Sequence, residues 1–127
     1  MTELAQKSCT PCRGGVPPLE PEAAKRLLAG VPGWELAEDA RKIQRSYRFA
    51  DFKEALAFVG HVGTLAEAEG HHPDVSFGWG YATVSLQTKK IKGLHENDFI
   101  LAAKIDQLTP RRARTARFSR TRRPPAA

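Results

Sequence analysis

One amphipathic run, from Phe52 to Glu69, constrains this chain more than any other stretch, because a pair of short alternating runs flanks it on each side. Asp51-Phe52-Lys53-Glu54 has the form of a capping box, with a side-chain oxygen at the cap and a glutamate three residues on. Behind it Phe52, Ala55, Leu56, Val59, Val62 and Ala66 keep the i, i+3, i+4, i+7 spacing of a helix. Phe58 and Leu65 widen the apolar surface onto a second side. A helix apolar on two sides is expected to bury one against its own sheet and the other against another subunit. His61, on the same helix, reads as a surface residue.

Upstream, Pro21 sits where a helix accepts its first residue, with Glu22 in the first turn. Ala24, Leu27, Leu28 and Val31 follow at helical spacing until Gly30 and Pro32 end the run. Trp34 and Leu36 alternate around Glu35 as a short strand, and Glu38 to Arg41 read as a turn without glycine. Ile43, Tyr47 and Phe49 make a second strand, interrupted by Arg45, which is either an edge residue or one that reaches a ligand. Downstream, Val75, Phe77 and Trp79, then Ala82, Val84 and Leu86, form two more alternating runs around Gly78-Trp79-Gly80-Tyr81. A basic connection, Lys89 to Gly93, leads to a last helix that starts near His95-Glu96-Asn97-Asp98. Its buried stripe is expected at Leu101, Ile105 and Leu108, with Pro110 as its stop. The order α-β-β-α-β-β-α, with hairpin-length connections and no long βαβ crossover, predicts an α+β fold. Its expected form is a four-stranded antiparallel sheet with helices packed on one face.

At 127 residues there is room for one domain. Residues 1–18 read as an extended lead-in, 19–109 as the domain and 110–127 as a disordered tail. The net charge of +6 does not describe the domain, because residues 111–127 hold seven arginines and no acid. Without that tail the remainder is close to −1, so the basicity carries no information about the domain's substrate. The tail is read either as a solvated extension or as a grip on an acidic protein surface; without aromatic interleaving beyond Phe118, no nucleic-acid partner is expected. Cys9-Thr10-Pro11-Cys12 in the lead-in leaves three readings open: idle thiols, a metal site shared between subunits, or a redox pair. No apolar run approaches the roughly 18 residues of a membrane span, and MTELAQKSC lacks a signal pattern, so a cytoplasmic protein is expected.

The chemistry is concentrated between Ala66 and Asp98. His71 and His72 stand together after the helix break at Gly70 and are stopped by Pro73. Imidazole, with an unperturbed pKa of about 6.5, gives and takes protons near neutral pH. In extended backbone adjacent residues point to opposite sides, so one histidine faces a cleft while the other faces a sheet edge or subunit contact. The alternative is a polar junction in which both rings satisfy freed backbone groups. Two adjacent histidines reach one metal ion poorly, so no metal is assigned, with His95 and the cysteines the only auxiliary ligands in view.

Glu67, three residues, His71-His72-Pro73, an aromatic-bearing strand, and then Gly93-Leu94 followed by Asp98 resemble the pterin-4a-carbinolamine dehydratase family. The resemblance implies that His71 and His72 are catalytic, that Glu67, Pro73, Lys89 and Asp98 contact the pterin or orient a histidine, and that pterin is a substrate rather than a cofactor. The implied reaction removes water from 4a-hydroxytetrahydropterin to give quinonoid dihydropterin, in tetrahydrobiopterin recycling, with no metal or redox cofactor. One position departs: the family's third histidine, counted back from Gly93-Leu94, falls on Lys89. An unperturbed lysine, with a pKa of about 10.4, is a fixed cation at neutral pH. The resemblance therefore also implies an alternative, a catalytically impaired relative that acts as a RuBisCO assembly chaperone in carbon-fixing bacteria. Either way it implies a homodimer or homotetramer.

Overall fold

A computed structural model describes residues 2–7 and 17–108. The elements, in order, are α1 (Thr2–Gln6), α2 (Pro21–Leu28), β1 (Glu35–Ala37), β2 (Lys42–Arg48), α3 (Phe52–Glu69), β3 (Asp74–Gly78), β4 (Tyr81–Leu86), a 3₁₀ turn (Lys89–Ile91) and α4 (Glu96–Asp106). The class is the expected α+β, with one four-stranded antiparallel sheet. Ile43 and Tyr47 of β2 and Ala82, Val84 and Leu86 of β4 are buried under the helices. On the other face Ser46 and Thr83 pair their hydroxyls in the open, 2.9 Å apart. This alternation is why one face collects the helices and the other faces water.

Strand order is β1-β2-β4-β3. β4 runs antiparallel to both β2 and β3, so β2 and β3 are parallel to each other and α3 connects them across β4. The expectation of no βαβ crossover is thus corrected: the chain contains a split one. Local alternation reports which residues face in, but not which strand lies beside which.

The ends of α3 follow from its capping residues. An Asp51 side-chain oxygen accepts from the Glu54 amide at 2.9 Å, and the Glu54 carboxylate accepts from the Ala50 amide at 3.0 Å. At the other end Gly70 takes the left-handed conformation (φ 68°), which costs little without a Cβ. The amides of Gly70 and His71 both donate to Ala66 O, at 2.9 and 3.2 Å, so the chain turns sharply and delivers the histidine pair to the start of β3. Ala55, Phe58, Val62 and Ala66 form the buried stripe of α3. Phe58 packs against Tyr47 and Phe49 with ring centroids 4.7 and 5.1 Å apart. Phe52 and Leu56 stay exposed, at 45% and 49%.

Three further sequence expectations change. The lead-in is not extended at its start, because Thr2–Gln6 is helical, with Leu4 buried against Gly30. Lys104 Nζ donates to Ala5 O at 2.9 Å, and Lys7 pairs with Glu96 at 2.7 Å, so α1 lies along α4. That cover explains the second change: α4 is buried nearly all round, from Asn97 to Ala103, rather than along one stripe. The third is Arg45, which is not an edge residue and turns its guanidinium to a carboxylate of its own chain. It is buried on the inner strand β2, 2.9 Å from Asp106, which also accepts from Tyr47 Oη at 2.6 Å and Trp34 Nε1 at 3.1 Å. The turn read at Glu38–Arg41 is present and holds three non-glycine residues, Glu38, Asp39 and Ala40, at positive φ. Cys9, Cys12 and the arginine-rich tail lie outside the described residues. No described helix is long and apolar enough to cross a membrane.

Candidate active site

The α3–β3 corner supplies the histidines, and the start of α4 supplies the carboxylate beneath them. His71 Nε2 lies 2.6 Å from Asp98 Oδ1. The Asp98 side chain is fully buried and that of His71 is 11% exposed. Asp98 is already engaged through its other oxygen, which accepts from the amide of His95 at 3.0 Å and from Thr88 Oγ1 at 2.8 Å. His95 completes a capping box, with its Nδ1 accepting from the amide of Asn97 at 3.0 Å. The two sequence readings of Asp98, helix-start acid and histidine partner, therefore describe one side chain doing both.

His72 turns the other way. Its Nε2 lies 2.7 Å from Glu67 Oε2, one helical turn back along α3, and both side chains are largely exposed. The pair stands on an open cleft of about 540 Å³. Val59, Gly60, Gly63 and Thr64 of α3 line one side, and Pro73 and Val75 line the other. Gly60 and Gly63 would meet no atom within 4 Å if they carried a Cβ, so this helix face is bare toward the cleft. The sequence reading included Pro73 but missed Gly60 and Gly63 as lining residues. Two glycines one turn apart inside an otherwise strong helix were the available signal, since each costs about 1 kcal/mol there relative to alanine.

The structure thus sorts the predicted residues into three sets. Glu67, His72 and Pro73 meet at the cleft; His71, part-buried, and the fully buried Asp98 form a second pair that does not line it. Lys89 belongs to neither: its ammonium lies 3.3 Å from Asp74 Oδ1, with both side chains about two-thirds exposed. Gly93 and Leu94 have structural work. A Cβ on Gly93 would stand 2.5 Å from Pro18, and Leu94 is buried with its carbonyl accepting from the Leu19 amide at 2.9 Å. Among the described residues no three His, Cys, Asp or Glu side chains converge as metal ligands do. Two imidazoles, each with a carboxylate on Nε2, can accept a proton at one nitrogen and spread the resulting charge through the other.

Residues 17–108 match the family model described as "Pterin 4 alpha carbinolamine dehydratase". A relative from Aromatoleum aromaticum, named "Putative pterin-4-alpha-carbinolamine dehydratase", is 60% identical over 108 residues, covering 85% of this chain and 96% of its own. A solved structure described as a transcriptional coactivator/pterin dehydratase from Brucella melitensis aligns with TM-score 0.69 and 27% identity, covering 73% of this chain and 99% of that one. A pterin dehydratase-like protein described as a RuBisCO assembly factor in the alpha-carboxysome shares the fold, with TM-score 0.53 at 23% identity, over 60% of this chain and 88% of its own.

Proposed function

The chain belongs to the pterin 4-alpha-carbinolamine dehydratase family, and from that premise we propose that it dehydrates 4a-hydroxytetrahydropterin by histidine acid–base catalysis, in tetrahydropterin recycling. The observation that carries this reading is the pair of adjacent histidines, each on its own carboxylate, at 2.6 and 2.7 Å, one part-buried and one open to a cleft. The reaction needs two proton movements. The hydroxyl on C4a leaves as water and takes a proton, while the adjacent ring nitrogen loses one and its electron pair closes the new double bond. His72 as imidazolium, held by Glu67, protonates the departing hydroxyl. His71, held by Asp98, accepts the ring proton. The two transfers cancel, and exchange with water resets both rings. On this reading the pterin lies across the His71–His72 turn, with His72 and the cleft at one side of it. Each positioned acid or base contributes roughly 10²–10⁴ in rate.

A second reading, an impaired site whose fold serves RuBisCO assembly, is favoured by one observation: Lys89 pairs with Asp74 at the surface instead of supplying a third imidazole. Turnover of freshly generated 4a-hydroxytetrahydropterin separates the two. Wild type well above spontaneous dehydration, with His72→Ala near it, upholds the enzyme; wild type at background sinks it. We further infer a homodimer or homotetramer, supported by the exposed Phe52 and Leu56 on α3 and the outer edges of β1 and β3. Light scattering that returned a 14.0 kDa particle at micromolar concentration would remove this inference.

A further inference from the structure

Asp98 receives its donors from three separate elements, and one of them has no part in the reading above. Thr88 lies two residues past β4, is buried, and donates through Oγ1 to Asp98 Oδ2 at 2.8 Å. Its backbone is fixed independently: its amide donates to Gly93 O at 2.8 Å and its carbonyl accepts from Gly93 N at 3.4 Å. The other donor to Oδ2 is the His95 amide at 3.0 Å. One such bond leaves a carboxylate free to swing about it; two, from different directions, fix its plane. With Oδ2 occupied by two donors, Oδ1 is presented to His71 Nε2 at 2.6 Å.

That arrangement decides where the proton of a neutral His71 resides. Asp98 accepts from an N–H and an O–H that have no other role toward it, a pattern that complements a carboxylate anion. The hydrogen in the short contact therefore belongs to the imidazole, on Nε2, and Nδ1 carries the lone pair. We propose that Thr88 is a positioning residue: through Asp98 it holds His71 as the Nε2–H tautomer and makes Nδ1 the basic atom. For catalysis this rests on the dehydratase reading; for the tautomer it does not. Partners of this kind, one step behind the reacting group, set ring orientation and basicity, and their loss costs about 10–100-fold.

The test uses the full chain and three variants: Thr88→Val, which removes the hydroxyl but keeps the shape; Thr88→Ser, which keeps the hydroxyl; and His71→Gln, which assigns the His71 signals. Long-range ¹⁵N–¹H spectra report the tautomer, and turnover of 4a-hydroxytetrahydropterin reports kcat and KM. The expected result is Nε2–H in the wild type and a mixture of tautomers in Thr88→Val. In that variant kcat should fall about tenfold or more with KM little changed, and Thr88→Ser should restore both readouts. A wild-type His71 carrying its proton on Nδ1 overturns the proposal whether or not Thr88→Val folds. So does a folded Thr88→Val with an unaltered tautomer. A wild type without turnover removes the dehydratase reading alone, and the spectra still decide the role of Thr88.

Discussion

His71 and Asp98 lie 27 residues apart in sequence and 2.6 Å apart in space, and the carboxylate that holds the imidazole is the one that caps α4. Asp98→Asn keeps the size but removes the charge and offers His71 either an amide N–H or a neutral carbonyl. We expect kcat to drop about 10–100-fold. The same change weakens the capping box, so the melting transition should fall by the equivalent of about 1 kcal/mol. Stopped-flow turnover and thermal unfolding on one preparation check both; an unchanged kcat would remove Asp98 from the mechanism.

Lys89→His tests the departing position. The exposed Lys89–Asp74 pair at 3.3 Å contributes little to stability, so the variant should melt within a degree or two of wild type. An imidazole that reached the pterin would supply a further proton donor or acceptor, raising kcat by about tenfold or more. A variant no faster than wild type would mean that catalysis here does not lack a third imidazole.

Much of this was legible in the residues. Period-two alternation placed Ile43, Tyr47, Ala82, Val84 and Leu86 on one face, and the helix stops at Gly30 and Gly70 were readable as punctuation. That His71 and His72 point to opposite sides was also readable from extended backbone, but not that His71 turns to Asp98 rather than to a sheet edge or subunit contact. Arg45 did not yield, because its partner Asp106 is 61 residues away and no local pattern announces a pair that only tertiary packing makes. Thr88 was overlooked for a similar reason: one polar residue in a basic connection carries no periodic signal, and its meaning lies in what Asp98 needs. The split crossover was hidden because strand order depends on pairing across the sheet, not on the strands' own sequences.

The buried Arg45–Tyr47–Asp106 cluster predicts behaviour at high pH. Burial pushes the Tyr47 hydroxyl well above its ordinary value; the Asp106 charge and hydrogen bond add to this, and Arg45 opposes it. A group whose folded-state pKa is raised contributes stability that is complete below its unfolded pKa, about 10, and is lost as pH climbs beyond it. The melting temperature should therefore decline steadily above about pH 10, and Tyr47→Phe should flatten that decline. Difference absorbance at 295 nm between the two proteins should show no tyrosinate from Tyr47 until the chain unfolds. A tyrosinate signal from folded Tyr47 near pH 10 would contradict the cluster's geometry.

Gly60 and Gly63 separate stability from function. Alanine at Gly63 meets no neighbour and improves helix propensity, so it should stabilise the fold by about 0.5–1 kcal/mol. Leucine at the same site fills the cleft beside Thr64 and Glu67 and should raise KM severalfold while the protein stays folded. Denaturant unfolding and steady-state kinetics check the pair; a Gly63→Leu variant with normal KM would move the pterin away from this helix face.

Asp98 joins the end of β4, the start of α4 and the entry to β3, so the fold itself selects for that carboxylate whatever chemistry goes on above it. Glu67, exposed and bonded to His72, has no such structural tie. If this chain carries out the proposed dehydration and a descendant lost it, drift would erase Glu67 and His72 first and leave Asp98 in place. In judging which relatives still turn over pterin, the surface pair is the more informative marker, and the buried aspartate mainly records that the chain still folds.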